Sequence, residues 1–455
     1  MVWSSAPPAA AAQQPGRGAG EGTPASAGEP GRRVLGVLAA AVALTPMVAP
    51  KGAHNLAPID GLIALAVLVA FLWALRRRAL VRLPYAVPVT GLVVVGFVAA
   101  LASVSPLTGG VAMVQELFLF AWCAALVTVC RTPRALGFVL RAWALSATAW
   151  AGVLVLAVLA GVNRISGAEG GIGSRAQLFF DHPNMAGNYF MIGAFIVVAA
   201  GCPRRLWARI LACALLLVAM FFTGSNAALL SLILAGVLAV FLHLRARAGM
   251  VKAIAVVTAV VGLLGVGWVE IGSPLVAAAT QSDNPLLRYS VGRGERSAEG
   301  RSSLFAEQFE LYQRGDLLGI GPAGTRDALG AETASAAKEA HNDYLGALVE
   351  RGPLGALALA GLVGVVGARA VRTTRRPLSP RLAEAVPVPA ALVGACAAFA
   401  FTALTHEVLH YRWLWILFAM VAALHLLLRQ EESDGGAPTR ELPPPHGGTV
   451  PLRGH

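Results

Sequence analysis

The chain has 455 residues, of which 56% are hydrophobic and 13% charged, and its mean hydropathy is +0.67. A soluble domain carries roughly 25% charged residues, so this chain lacks the polar surface to cover a globule in water and reads as a polytopic membrane protein. A net charge of +12 would suggest a nucleic-acid partner in a soluble protein; in a membrane protein it first asks which side the charges occupy.

Residues 1–33 are rich in Pro, Gly and Ala and read as a disordered cytoplasmic tail without a cleavable signal peptide. Apolar runs of roughly 17–25 residues mark spans. They fall at Val34–Pro50, Ile59–Leu75, Ala86–Val104, Val111–Cys130, Ala142–Gly161, Pro183–Gly201, Ile210–Thr223, Ala227–Leu244 and Ala253–Gly272. A broken run at His341–Val371 follows, then Val386–Leu404 and Leu409–Leu428. The fold class is therefore all-α, with about twelve transmembrane helices. Nine occupy 34–272, and a long outer loop carrying an amphipathic helix occupies 273–340. A short helix opening at His341-Asn342 and three more spans occupy 341–428, and 429–455 is a second disordered cytoplasmic tail.

With both termini cytoplasmic, 24 of the 36 Lys and Arg lie inside and 12 outside, seven of the outer ones in the long loop. This is the positive-inside pattern. Seven acids fall inside and seventeen outside, so the outer face is slightly acidic. All five cysteines fall in spans or at their inner ends, which argues against a structural disulfide.

Polar residues of unusual type gather on the outer side in five groups. In the first, Arg175 precedes Asp181-His182-Pro183-Asn184 and Asn188. Pro183 suits the first helical turn, and Asn184 and Asn188 then share one helix face. Their structural reading is helix–helix hydrogen bonding; their functional reading is a watery cavity. The second group, Thr223-Gly224-Ser225-Asn226, is a turn between two spans, with Ser225 or Asn226 capping the next helix.

The third group lies in the outer loop. Phe305, Phe309 and Tyr312 follow an i, i+4, i+7 spacing after Ser302 and Ser303, which predicts an amphipathic helix. Arg301 at its start opposes the helix dipole and so is expected to face an anion. Gly319-Ile320-Gly321-Pro322 is a Gly-rich turn without a nucleotide-binding signature. The fourth group is His341-Asn342-Asp343-Tyr344, then Glu350-Arg351-Gly352-Pro353, where Gly-Pro should kink the helix. The fifth, His406-Glu407-x-x-His410, matches the helical zinc pattern of a metalloprotease. No third ligand in recognisable context accompanies it, and a membrane-surface turn before Arg412-Trp413 explains it more simply.

In this order, the groups resemble the O-antigen ligase and polymerase-related family of membrane glycosyltransferases. The features that carry the resemblance are Arg175…Phe180-Asp-His-Pro-Asn184, Thr223-Gly224-Ser225, Gly300-Arg301, Gly319-Ile-Gly321-Pro322 and His341-Asn342-x-Tyr344…Arg351-Gly352-x-x-Gly355. It covers roughly 142–371. One departure is Asn226, where ligases of the family usually carry an Arg directly after the Ser. A phosphate-binding charge is then absent, or is supplied elsewhere, with Arg175 or Arg288 as candidates.

The resemblance implies transfer of a glycan from a polyprenyl (undecaprenyl) diphosphate carrier to a hydroxyl acceptor, a lipid core or a growing polysaccharide. The reaction belongs to polysaccharide and lipopolysaccharide biosynthesis in the cell envelope. It takes place at the outer face of a bacterial cytoplasmic membrane, without cofactor or metal. His341 is the expected base. Arg301, Arg175 and Arg288 are the expected diphosphate ligands, because the guanidinium fork fits phosphate oxygens. Asn184, Ser225, Asn342, Tyr344, Glu350 and Gly321 would support them. The expected partners are the lipid-linked donor, the acceptor and membrane lipids, with no nucleic acid. The alternatives are a transporter or flippase of a lipid-linked sugar or small anion, with Glu116 as its main intramembrane ionisable residue, and the metalloprotease through His406, Glu407 and His410.

Overall fold

A computed structural model describes residues 29–49, 56–167, 175–283, 305–314, 317–325, 328 and 342–435. The described residues are helical throughout their regular structure, with no strand among them. The helices are α1 (Arg32–Ala43), α2 (Pro58–Arg76), α3 (Ala86–Ala102), α4 (Pro106–Val129), α5 (Pro133–Leu159), α6 (Asn163–Ser166), α7 (Pro183–Ala199), α8 (Leu206–Thr223), α9 (Asn226–Ala248) and α10 (Met250–Gln281). Then come α11 (305–314), α12 (Asp343–Arg372), α13 (Pro380–Ala385), α14 (Pro389–Ala403) and α15 (Arg412–Gly435). Each predicted span overlaps one of these helices. Eight are long and apolar enough to cross a bilayer, and α3, α7 and α14 are shorter apolar helices.

Two helices form the centre. In α15, 78% of the most apolar stretch is buried within the protein, where it packs against α4, α5, α12 and α14. In α7, almost every residue is buried against α5, α8, α9 and α14. Both are apolar around most of their girth along their middle turns, as an enclosed helix must be. Small residues let the neighbours approach closely: a Cβ on Gly394 of α14 would lie 2.6 Å from the Phe195 ring and 2.9 Å from Ala239. The peripheral extreme is α10, none of whose apolar stretch is buried and which packs on α9.

Several boundaries differ from the sequence reading. Helix α5 starts at Pro133, with the Thr132 hydroxyl accepting from Ala135 N–H at 3.2 Å, so the helix takes in Arg134 and Arg141 before the apolar run begins. Helix α8 starts at Leu206, which gives the run ending at Thr223 its full length. Helix α10 passes through a π turn at Trp268–Gly272 and continues over Ser273–Gln281, so the helix itself does not end at 272. Helix α15 runs beyond 428 into the expected tail. There Arg376 pairs with Glu432 at 2.8 Å and the Ser379 hydroxyl donates to Glu431 at 2.6 Å.

Two buried ion pairs tie helices together. Arg412 at the start of α15 makes a two-pronged bond to Asp60 at the start of α2. Arg351 of α12 does the same with Glu116 of α4, one prong at 3.1 Å.

Candidate functional site

The first polar group folds against the second. His182 is the N-cap of α7, its Nδ1 accepting from Asn184 N–H at 3.1 Å, and Pro183 takes the first helical turn as expected. Arg175 precedes α7 in a stretch without regular structure, and the next residue, Ala176, donates its N–H to Phe222 O at 3.1 Å. Arg175 Nε donates to the Thr223 carbonyl at 2.7 Å, and its Nη2 donates to Asn184 Oδ1. The Thr-Gly-Ser turn depends on Gly224, which holds φ +58°, a conformation glycine adopts without a steric penalty. Ser225 occupies the N-cap of α9, as predicted, but makes no side-chain capping bond. The turn also presses on α7, since a Cβ at Gly187 would lie 2.7 Å from Ser225 Cβ and 2.9 Å from Thr223 Oγ1. Asn188, buried one turn after Asn184, accepts from Trp413 Nε1 at 2.9 Å. That bond is the helix–helix role; Asn184 instead faces Arg175.

The fifth group is a turn. Residues 404–411 join α14 to α15 without helix, so the two imidazoles of His406 and His410 do not share a helix face and the metalloprotease reading loses its scaffold. Among the described residues no cluster of three or more His, Cys, Asp or Glu could hold a metal ion. His406 is buried; its Nε2 meets Asn184 Nδ2 and its Nδ1 meets Thr405 Oγ1 at 3.0 Å.

The same turn anchors the fourth group. Asp343 accepts from Val408 N–H at 2.9 Å and from Leu409 N–H at 3.5 Å. Asn342 is the N-cap of α12, accepting from Tyr344 and Leu345 N–H at 2.9 and 3.1 Å. Tyr344 donates its hydroxyl to Ala400 O at 3.2 Å. The predicted kink is present: Gly352 leaves helical geometry at φ 64°, ψ −172°. The Gly-rich turn then docks under the short first segment of α12. Ile320 and Gly321 N–H donate to Val349 and Glu350 O, both at 3.0 Å, and Glu350 Oε1 accepts from Thr325 N–H at 3.4 Å. Gly321, at φ +94°, lies so close to Ser103 that no side chain fits there.

Helix α11 carries the aromatic spacing read from the sequence. Phe305 and Phe309 are 39% and 50% exposed while Gln308 is buried, so the aromatic face does not sink into the protein. With Asn342, Tyr344, Leu345 and Leu348 it lines an open cleft of about 500 Å³. A smaller groove of about 250 Å³ runs between α9 and α14, from Asn226 and Thr405 at one end along Leu230, Leu234 and Phe401.

Thus Asn184 meets His406 of the 404–411 turn and links it to Arg175, Asn342 sits beside Asp343, which the turn clasps, and Ser225 lies against Gly187 of α7; Tyr344 and Glu350 belong to the first segment of α12, on which Gly321 docks. His341, Arg301 and Arg288 lie outside the described residues, as do the predicted caps Ser302 and Ser303; His341 directly precedes Asn342 in the chain. Sequence reasoning missed Asp343 as the clasp, His406 as the partner of Asn184, and Glu116 as the partner of Arg351. The last had a signal: an acid and an arginine, each expected in the outer part of a span, are natural partners. That pairing also occupies the ionisable residue on which the transporter reading rested.

A search of curated proteins finds none that matches the chain. Residues 211–360 match a family model described as O-Antigen ligase. The match takes in the Thr-Gly-Ser turn, the Gly-rich turn and the first segment of α12; Arg175 lies before it and is joined to it through the Thr223 carbonyl. Over that segment this membrane protein is similar to the O-antigen ligase family, in agreement with the resemblance carried by its motifs.

Proposed function

We propose that the chain moves a glycan from a polyprenyl diphosphate to a hydroxyl acceptor at the outer face of the cytoplasmic membrane, with both termini inside. The observation that supports it is the meeting of an arginine, the Thr-Gly-Ser turn and the capped start of α12 around one turn, most of it inside the O-antigen ligase match. In the reaction the acceptor oxygen bonds to sugar C1 while His341 takes its proton. The bond from C1 to the diphosphate oxygen breaks, and the electron pair leaves with the diphosphate. Arginine forks meet the departing charge with paired donors.

The outer face carries no general positive field, so placed arginines must do this. Arg175 stands against the turn at whose end Asn226 replaces the usual Arg, and so supplies the charge that position lacks. Arg301 and Arg288 complete the set. Tyr344 and Glu350 hold the first segment of α12 in place, and the cleft between α11 and α12 offers a hydrocarbon-lined path beside Asn342 for a lipid chain.

The test is transfer in membrane vesicles with a lipid-linked glycan as donor. His341→Ala is expected to abolish transfer at normal protein level, and a chelator to leave wild-type transfer unchanged. Transfer retained by the His341 variant would overturn the mechanism.

A further inference from the structure

We propose that His406 is a positioning residue for the diphosphate site, acting through Asn184 to hold Arg175; this rests on the reading that Arg175 binds diphosphate. The argument is one of donor order. Thr405 Oγ1 donates to Thr402 O at 3.1 Å, so at 3.0 Å from His406 Nδ1 it accepts that nitrogen's proton. His406 Nε2 is then an acceptor, and it receives Asn184 Nδ2. With its amide nitrogen so engaged, Asn184 presents Oδ1 to Arg175 Nη2. Every donor along Arg175–Asn184–His406–Thr405 points the same way, so the orientation of each group is set by the next.

An asparagine amide has two nearly isosteric orientations, and only one accepts from arginine. Turned over, it would set an NH₂ against a guanidinium, two donors facing each other. His406 selects the accepting orientation. The guanidinium is then fixed at two points, the Thr223 carbonyl and Asn184. Fixing matters because a pre-organised fork loses less freedom on meeting phosphate. His406 is buried on a turn that packs between α7 and α12, so the constraint comes from a part of the chain remote from Arg175 in sequence and outside the O-antigen ligase match.

The test is binding of undecaprenyl diphosphate to the purified full-length protein in detergent micelles. Arg175→Ala is expected to weaken binding at least tenfold. His406→Ala should weaken it about fivefold to tenfold, the scale of one lost hydrogen bond and its re-sorted partner. His406→Gln keeps an acceptor for the Asn184 amide and should bind within about threefold of wild type. Asn184→Ala combined with His406→Ala should be no weaker than Asn184→Ala alone, because the two act in series. Equal weakness of the Gln and Ala variants, wild-type binding by His406→Ala, or additive loss in the double variant would overturn the role of His406. Wild-type binding by Arg175→Ala would instead overturn the underlying reading. The Gln variant keeps the test decisive if removal of the ring prevents folding.

Discussion

Gly352 is the residue on which the attachment of the short first segment of α12 turns. Its φ of 64° with ψ −172° lies in a region essentially reserved for glycine, where another residue costs about 1–3 kcal/mol. A Cβ there would also run into the Leu317 carbonyl oxygen and lie 2.8 Å from its carbonyl carbon. Both are backbone atoms, so the 317–321 turn must move as a unit. Moving it breaks the bonds from Ile320 and Gly321 N–H to Val349 and Glu350, worth about 1 kcal/mol each. Gly352→Ala is therefore expected to speed hydrogen exchange of those two amides roughly 30-fold, the equivalent of about 2 kcal/mol. Transfer should fall with it, because Asn342 caps the same segment and His341, the proposed base, directly precedes it in the chain. Exchange mass spectrometry of a peptide spanning 317–325 reads the first effect directly. Gly364→Ala is the control, since a Cβ there meets nothing within 4 Å and alanine is the better helix former. Exchange within about twofold of wild type for Gly352→Ala, on the scale of those bonds, would refute the reasoning.

Other contacts give further expectations. Glu116→Gln leaves Arg351, whose side chain is 9% exposed, without its counter-charge. The cost is expected at about 3 kcal/mol, the low end for a broken buried pair because Glu116 is itself 21% exposed. A melting curve in micelles checks it, and a double replacement by Glu116→Leu and Arg351→Met should recover most of the loss. Asp343→Ala removes the side-chain acceptor of Val408 and Leu409 N–H, at about 2 kcal/mol for the two bonds. It should raise exchange in 404–411 and lower transfer while α14 and α15 stay protected.

The helices were legible because twenty-residue apolar runs are a strong and local signal. So were the kink at Gly352-Pro353 and the capped start of α7, where proline chemistry acts within a few residues. What periodicity does not carry is partnership across the chain. Glu116 and Arg351 are 235 positions apart, and Asn184 and His406 are 222 apart; no periodicity links them. The H-E-x-x-H pattern misled for the converse reason. A spacing has metal geometry only on a helix, and the short loop from α14 to α15 keeps 404–411 from becoming one. The mis-set end of α10 has a similar origin, because Ser273-Pro274 reads as a break, yet proline is accommodated just after the π turn.

Helix α10 has one more consequence. Its 32 residues rise about 48 Å at 1.5 Å each, whereas a bilayer's hydrocarbon is about 30 Å thick. Counting from Met250, that thickness is used up near Trp268 and Glu270, an interfacial aromatic followed by an acid, which is where the π turn falls. The remaining turns, Ser273–Gln281, stand clear of the hydrocarbon like a mast.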